Sequence, residues 1–65
     1  MMKAEEIAYS AGKTAQERIG DKAMCYDPIM QELVVEARTP AGWAYNERIM
    51  KAWLKGRGWE VPHDD

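Results

Sequence analysis

Few residues in this 65-residue sequence are of types that carry out covalent or acid–base chemistry. Cys25 is the single cysteine and His63 the single histidine. A catalytic thiol needs a nearby base that stabilises the thiolate, but His63 falls in a short C-terminal tail after the last predicted helix. We therefore expect Cys25 to be a small apolar core residue of a protein in a reducing compartment.

Two further patterns imitate functional sites. Glu32 and Glu36 stand one helical turn apart, and paired carboxylates can serve as acid and base, but a solvated helix flank is the commoner reason for such spacing. Residues 12–14 read Gly-Lys-Thr, the end of a phosphate-binding loop, without the upstream glycine or the preceding strand that this motif requires. We expect no catalytic residue here.

Metal and cofactor binding are not predicted either. The terminal residues 63–65, His-Asp-Asp, would hold a cation only weakly, and a closed zinc site needs about four convergent ligands. No apolar run is long enough to span a membrane, and the acidic N-terminus is unlike a secretory signal. The sequence therefore predicts a cytoplasmic protein without a metal or a cofactor.

The charge balance bears on the choice of partner. Nine Lys and Arg stand against eleven Asp and Glu, a net charge of −2, whereas nucleic-acid binders usually carry a basic excess. A basic cluster near two tryptophans could still contact nucleic acid, but basic residues at the end of a helix also match its dipole, and we favour that interpretation. The cluster comprises Arg48, Lys51, Lys55 and Arg57.

Three helical segments separated by glycine and proline are the simplest organisation, which predicts a single all-α, three-helix domain over residues 1–65. The first helix covers about 3–18 and has an alanine-rich apolar stripe. The second covers about 27–38, with Asp27 as its N-cap and Pro28 at its first position. The third covers about 43–55, ends at Gly56 and Gly58, and is followed by a tail over 59–65.

Large apolar side chains are abundant for such a short chain, with three tryptophans and five methionines. A three-helix core of this size is too small to enclose three indoles, so at least one is expected at the surface. Exposed Trp, Tyr and Met are typical of protein interfaces. We predict that a protein partner docks on an apolar, aromatic face formed by Met30, Trp43, Trp53 and Trp59, and a homodimer that uses the same residues is an open alternative.

Several short blocks occur in an order known from one protein family. They are Ala11-Gly12, Glu17-Arg18, Tyr26-Asp27-Pro28-Ile29-Met30 with Glu32 and Val34, Pro40, and Tyr45-Asn46-Glu47-Arg48-Ile49-Met50 with Leu54. In this order the chain resembles the theta subunit of bacterial DNA polymerase III and its phage-encoded relatives over residues 11–54, with an insertion before Tyr26. The resemblance implies a non-catalytic three-helix subunit that binds a proofreading exonuclease subunit.

Other interpretations remain open at this stage. Ala8-Tyr9, Gly12, Ala15, Met24-Cys25-Tyr26 and Trp53-Leu54 with Gly56 resemble ribosome modulation factor more weakly, since that family is basic and has a much shorter middle section. A regulator encoded by a phage or plasmid, which masks a host enzyme, fits the small size equally well. The second and third helices also outline a helix-turn-helix DNA-binding protein, although the third helix begins with bulky residues.

Overall fold

A computed structural model describes residues 2–61, which form three α-helices and one short 3-10 helix. Helix α1 spans Ala4–Ile19, the 3-10 helix spans Met24–Tyr26, α2 spans Pro28–Leu33 and α3 spans Pro40–Arg57. No strand occurs in this part of the chain. The predicted all-α, three-helix class is confirmed. Of the predicted C-terminal tail, residues 62–65 lie outside the described residues.

Helices α1 and α3 pack against each other along an interface of small residues. The predicted alanine stripe of α1 faces the core, where Ala8, Ala11 and Ala15 are buried. Alanine contributes little apolar area, but it lets two helix backbones approach closely. The larger buried side chains come from the other helices, Met30 from α2 and Ile49 and Trp53 from α3.

Gly12 and Gly56 mark the closest approach of the two long helices. A Cβ at Gly12 would overlap the carbonyl oxygen of Trp53 and lie 2.8 Å from the amide nitrogen of Arg57. A Cβ at Gly56 would overlap the carbonyl oxygen of Tyr9. The sequence predicted that Gly56 ends the third helix, which is wrong, because α3 continues through Gly56 as part of this backbone-to-backbone contact.

Helix α3 is longer than predicted at both ends. It begins at Pro40 instead of Trp43, since the Thr39 side chain accepts a hydrogen bond from the Gly42 amide and caps the first turn. It ends at Arg57, where Gly58 adopts φ 83° and the amides of Gly58 and Trp59 donate to the last carbonyls of the helix. This arrangement is a Schellman motif, which turns the chain back toward the helix.

Helix α2 is shorter than predicted. The N-terminal prediction is confirmed, because Asp27 caps the helix and Pro28 is its first residue. The predicted end near residue 38 is wrong, since α2 ends at Leu33 and residues 34–38 are non-helical. Side chains of α3 form hydrogen bonds with the backbone groups that would be bonded within the helix if α2 were longer. The Tyr45 hydroxyl donates to the Leu33 carbonyl at 3.0 Å, and the Asn46 side chain bonds the backbone of Val35.

One buried carboxylate connects the three helices. The Asp27 side chain is fully buried and accepts two hydrogen bonds from the Arg18 guanidinium of α1, at 2.7 and 2.9 Å. It also accepts one from the Trp53 indole N–H of α3, at 2.8 Å, and one from the Ile29 amide of α2, at 2.9 Å. Arg18 donates in addition to the Ala11 carbonyl at 2.6 Å. The buried ion pair therefore has most of its hydrogen-bonding capacity satisfied, as such pairs require.

We expect Gly12→Ala to destabilise the fold by roughly 1–3 kcal/mol, because the methyl group would force the backbones of α1 and α3 apart. Gly42→Ala is the matched control. Its Cβ would lie 3.4 Å from the nearest atom, so the helix propensity of alanine should leave it neutral or slightly stabilising. Urea unfolding of both variants measures the difference, and equal free energies of unfolding would contradict the close packing at Gly12.

Acid should weaken the fold through Asp27. Its hydrogen bonds from Arg18, opposed by burial, lower the pKa of Asp27 from 3.8 to about 2. Because the pKa is lower in the folded chain, the folded state binds fewer protons, and the stabilisation is complete above about pH 4 and is lost between about pH 4 and pH 2. The shift corresponds to about 2 kcal/mol.

Urea unfolding at pH 5 and at pH 2 measures this loss. The Asp27→Asn variant should lack this component of the pH dependence and should be less stable than the wild type at pH 5. The exposed Asp21 provides the control variant, Asp21→Asn, which should retain the full effect. If the Asp27→Asn and Asp21→Asn variants show the same pH dependence, Asp27 is not the group responsible.

Candidate protein-binding surface

The four residues predicted to bind a partner divide between the core and the surface. Trp53 and Met30 are 0% and 2% exposed, so both side chains belong to the core, and their role as partner contacts stays a prediction. Trp43 and Trp59 are 60% and 41% exposed. The reason lies in the geometry of α3, which directs Trp53 toward α1 and Asp27, whereas Trp43 precedes the part of the helix that packs most tightly.

Trp43 is exposed but held in one orientation. Its indole N–H donates to the Ala37 carbonyl at 3.1 Å, which ties the ring to the non-helical segment between α2 and α3. A tryptophan fixed in this way loses little conformational entropy when a partner covers it. Trp43 thus has the chemical type and the pre-organisation of an interface anchor.

An apolar cleft of about 420 Å³ lies further along the molecule, and Trp43 is not part of its lining. Met50 forms one wall, and because it follows Trp43 by seven residues, both project from the same side of α3. The other walls come from the 3-10 helix, α2 and their flanks. We call Trp43 together with the cleft the Trp–Met surface, the cleft being lined by Ala23, Met24, Cys25, Met30, Gln31, Val34 and Met50.

Cys25 does not occupy the core position that the sequence predicted. It is exposed and belongs to the lining of the cleft. The 3-10 helix accounts for the difference, since none of its three residues is buried. Within residues 2–61 no group of three or more potential metal ligands comes together, and residues 63–65 are outside the described part of the chain.

Trp59 belongs to a different part of the molecule. Its ring packs edge-on against Trp53, with centroids 5.8 Å apart, and the Arg57 guanidinium lies 4.1 Å from its centroid. Arg57 also donates to the Gly20 carbonyl at the end of α1. The 14 residues of helix between Trp43 and Arg57 correspond to about 21 Å. The two exposed tryptophans therefore do not form one continuous face, and Trp59 packs against Trp53 and Arg57 at the C-terminal end of α3.

Arg57 carries two buried nitrogens, Nε and Nη1, for which the described residues supply no hydrogen-bond partner. The guanidinium lies against two indoles, 4.1 Å from the centroid of Trp59 and 5.2 Å from that of Trp53. Attraction between the cation and the aromatic faces offsets part of the cost of burying these groups. Arg57 therefore acts in packing the C-terminal end of α3.

Most of the basic cluster has partners within the chain. Arg48 pairs with Glu5 of α1 at 3.4 Å, and Lys51 pairs with Glu47 at 3.0 Å. These residues flank a second groove, of about 690 Å³, between α1 and α3, whose walls carry acids on α1 and bases on α3. The six residues between α2 and α3 also exceed the three- or four-residue turn of a helix-turn-helix.

Part of this surface was readable from the sequence and part was not. The seven-residue spacing of Trp43 and Met50 places them on one side of α3, next to the core stripe that contains Ile49 and Trp53. The cleft itself was missed, because it depends on the early end of α2 at Leu33. Nothing in the local sequence indicated that Asn46 would bind the Val35 backbone.

No protein-family model, no curated protein and no solved structure matches this chain. None of the helices over residues 2–61 combines the length and the apolar character needed to cross a membrane.

The two tryptophans of α3 should differ sharply in their effect on stability. Trp53→Ala removes a fully buried side chain and a hydrogen bond to Asp27, and we expect a loss of about 3–5 kcal/mol. Trp43→Ala removes an exposed ring with one hydrogen bond, and we expect a loss of no more than about 1 kcal/mol. Urea unfolding monitored by far-UV circular dichroism tests both, and a large loss for Trp43→Ala would place that residue in the core.

Proposed function

We propose that this chain is a non-catalytic protein-binding module that docks on a partner protein through the Trp–Met surface. The observation that carries the proposal is Trp43, a largely exposed tryptophan fixed by its hydrogen bond to Ala37, on the same side of α3 as Met50 and the cleft. A rigid aromatic anchor on the same side as a concave apolar site is the arrangement in which interface energy concentrates.

The cleft and the anchor have complementary roles in docking. Methionine side chains are unbranched and flexible, so the cleft can adapt to apolar side chains of different shapes. Trp43 supplies a large contact area at low entropic cost. A protein is the favoured partner, because the net charge is −2 and Arg48, Lys51 and Arg57 already interact within the chain.

A finer version of the proposal is an accessory subunit of the theta type, docked on a proofreading exonuclease subunit. The resemblance over residues 11–54 supports it, and so does the three-helix class that the resemblance implies. A phage- or plasmid-encoded regulator of a host enzyme would use the same surface. Both versions place the protein in the cytoplasm.

The first measurement is isothermal titration of the chain with a purified bacterial proofreading exonuclease subunit, beside affinity capture from bacterial lysate. We expect Trp43→Ala to weaken the complex by about 30-fold or more, the size of an interface hot spot. Tyr9→Ala is the matched control. This 37% exposed aromatic residue lines the other groove, so its loss should leave the affinity unchanged.

The outcomes separate the two levels of the proposal. Binding of the exonuclease subunit that depends on Trp43 supports the theta-like version. A different captured protein whose binding depends on Trp43 but not on Tyr9 supports the general module and replaces the theta-like version. If folded Trp43→Ala and Met50→Asp variants bind every partner as tightly as the wild type, the Trp–Met surface is not the docking site.

A further inference from the structure

The non-helical residues between α2 and α3 have one edge of their backbone against α3. The Val35 amide donates to Asn46 Oδ1 at 2.9 Å, and Asn46 Nδ2 donates to the Val35 carbonyl at 2.7 Å. Two residues later, the Ala37 carbonyl accepts from the Trp43 indole. The Asn46 amide thus takes the place of a neighbouring strand, and the two-residue spacing is that of a β-strand.

The opposite edge of this segment is unpaired. In an extended segment successive residues direct their backbone groups to alternate sides, so the bonds of Val35 and Ala37 to α3 imply that the groups of Glu36 and Arg38 point away from it. Among residues 2–61, no hydrogen bond satisfies the amide or carbonyl of either residue, and both residues are exposed. The residues that bracket this stretch, Val34 and Thr39, are themselves in extended conformations. The backbone groups of Glu36 and Arg38 therefore form a free, extended edge, which is a template for pairing with another chain.

The side chains on this edge carry opposite charges. Glu36 and Arg38 lie on the same side of the segment, and the guanidinium contacts the carboxylate at 2.9 Å. In an antiparallel pair related by a two-fold axis at Ala37, Glu36 of each copy stands directly opposite Arg38 of the other. The backbone groups of Glu36 and Arg38 also point outward. In this register, each Glu36 and the Arg38 opposite it are therefore joined both by backbone hydrogen bonds and by their opposite charges.

We propose that a second copy of this chain pairs with the free edge of residues 34–38, in antiparallel orientation and centred on Ala37. Each copy contributes the amides and carbonyls of Glu36 and Arg38, which gives four backbone hydrogen bonds and two intermolecular ion pairs. Val35, which is 50% exposed, then faces Thr39 of the second copy. The two-fold symmetry closes the assembly at a dimer, because both copies use the backbone groups of Glu36 and Arg38 in the same contact.

Charge complementarity selects the second copy over an unrelated strand. The register shifted by one residue on each chain would place Glu36 opposite Glu36 of the other copy, which is repulsive. The segment is therefore its own complement in one register only. This dimer goes beyond the proposed docking function and does not depend on it, because it uses the backbone groups of Glu36 and Arg38, neither of which lines the cleft.

Charge reversal on full-length chains tests the pairing. Glu36→Arg leaves two arginines and Arg38→Glu leaves two glutamates on each edge, so each single variant should weaken the dimer by at least about tenfold in sedimentation equilibrium. An equimolar mixture of the two single variants should form a heterodimer, because arginines then face glutamates. The double variant Glu36→Arg/Arg38→Glu should regain the wild-type dimer. All four residues of the pair are exposed, so the variants should fold, and circular dichroism checks this.

Amide exchange provides a second readout at residue resolution. Raising the concentration of the wild type should slow exchange of the Glu36 and Arg38 amides, while the Val35 amide, bonded to Asn46 in the monomer, should change little. A wild type that sediments at 7.4 kDa at millimolar concentration overturns the proposal. A dimer that forms equally well in both single variants also overturns it, and assigns self-association to another surface. An edge that is protected only when a foreign partner is added overturns it as well.

Discussion

The Asp27 carboxylate is the interaction on which the rest of the structure depends. It is the N-cap of α2, the ion-pair partner of Arg18 from α1, and the acceptor for the Trp53 indole from α3. A buried charge that loses one of these partners is costly, because nothing else in the core can solvate it. The network therefore fixes where α2 begins and how the two long helices are oriented, and it gives a small core a specificity that alanine packing alone would not provide.

Close backbone packing is the second constraint, and it explains how so short a chain forms a core. Glycine at 12 and 56 lets α1 and α3 touch through their main chains, so the few large residues, Trp53, Met30 and Ile49, are enough to fill the remaining space. A core this small has no room for more indoles. Trp43 and Trp59 are consequently left at the surface, one fixed against the segment before α3 and the other against Arg57.

Side chains of α3 also shape the two surfaces to which we assign function. Tyr45 and Asn46 bind the backbone just after Leu33, which ends α2 early and lays residues 34–38 along the helix. This arrangement leaves Val34 in the lining of the cleft and, among residues 2–61, leaves the backbone groups of Glu36 and Arg38 without partners. The proposed docking surface and the proposed dimer contact therefore both depend on Tyr45 and Asn46, although the two contacts involve different atoms.

The sequence by itself determined the class and the local signals. The alanine stripe of α1 and the start of α2 at Asp27-Pro28 depend only on neighbouring turns of helix, and both are found where the pattern indicated. Tertiary structure decided everything that depends on atoms far apart in the chain. The end of α2 depends on Tyr45 and Asn46, and the true role of Gly56 depends on Tyr9. Trp53, rather than Trp43, is buried because the fold brings Asp27, which is paired with Arg18, to its indole. The local sequence determines helix propensity and capping. Which of several apolar side chains is buried depends on contacts between residues far apart in the chain, and helical periodicity does not specify these contacts.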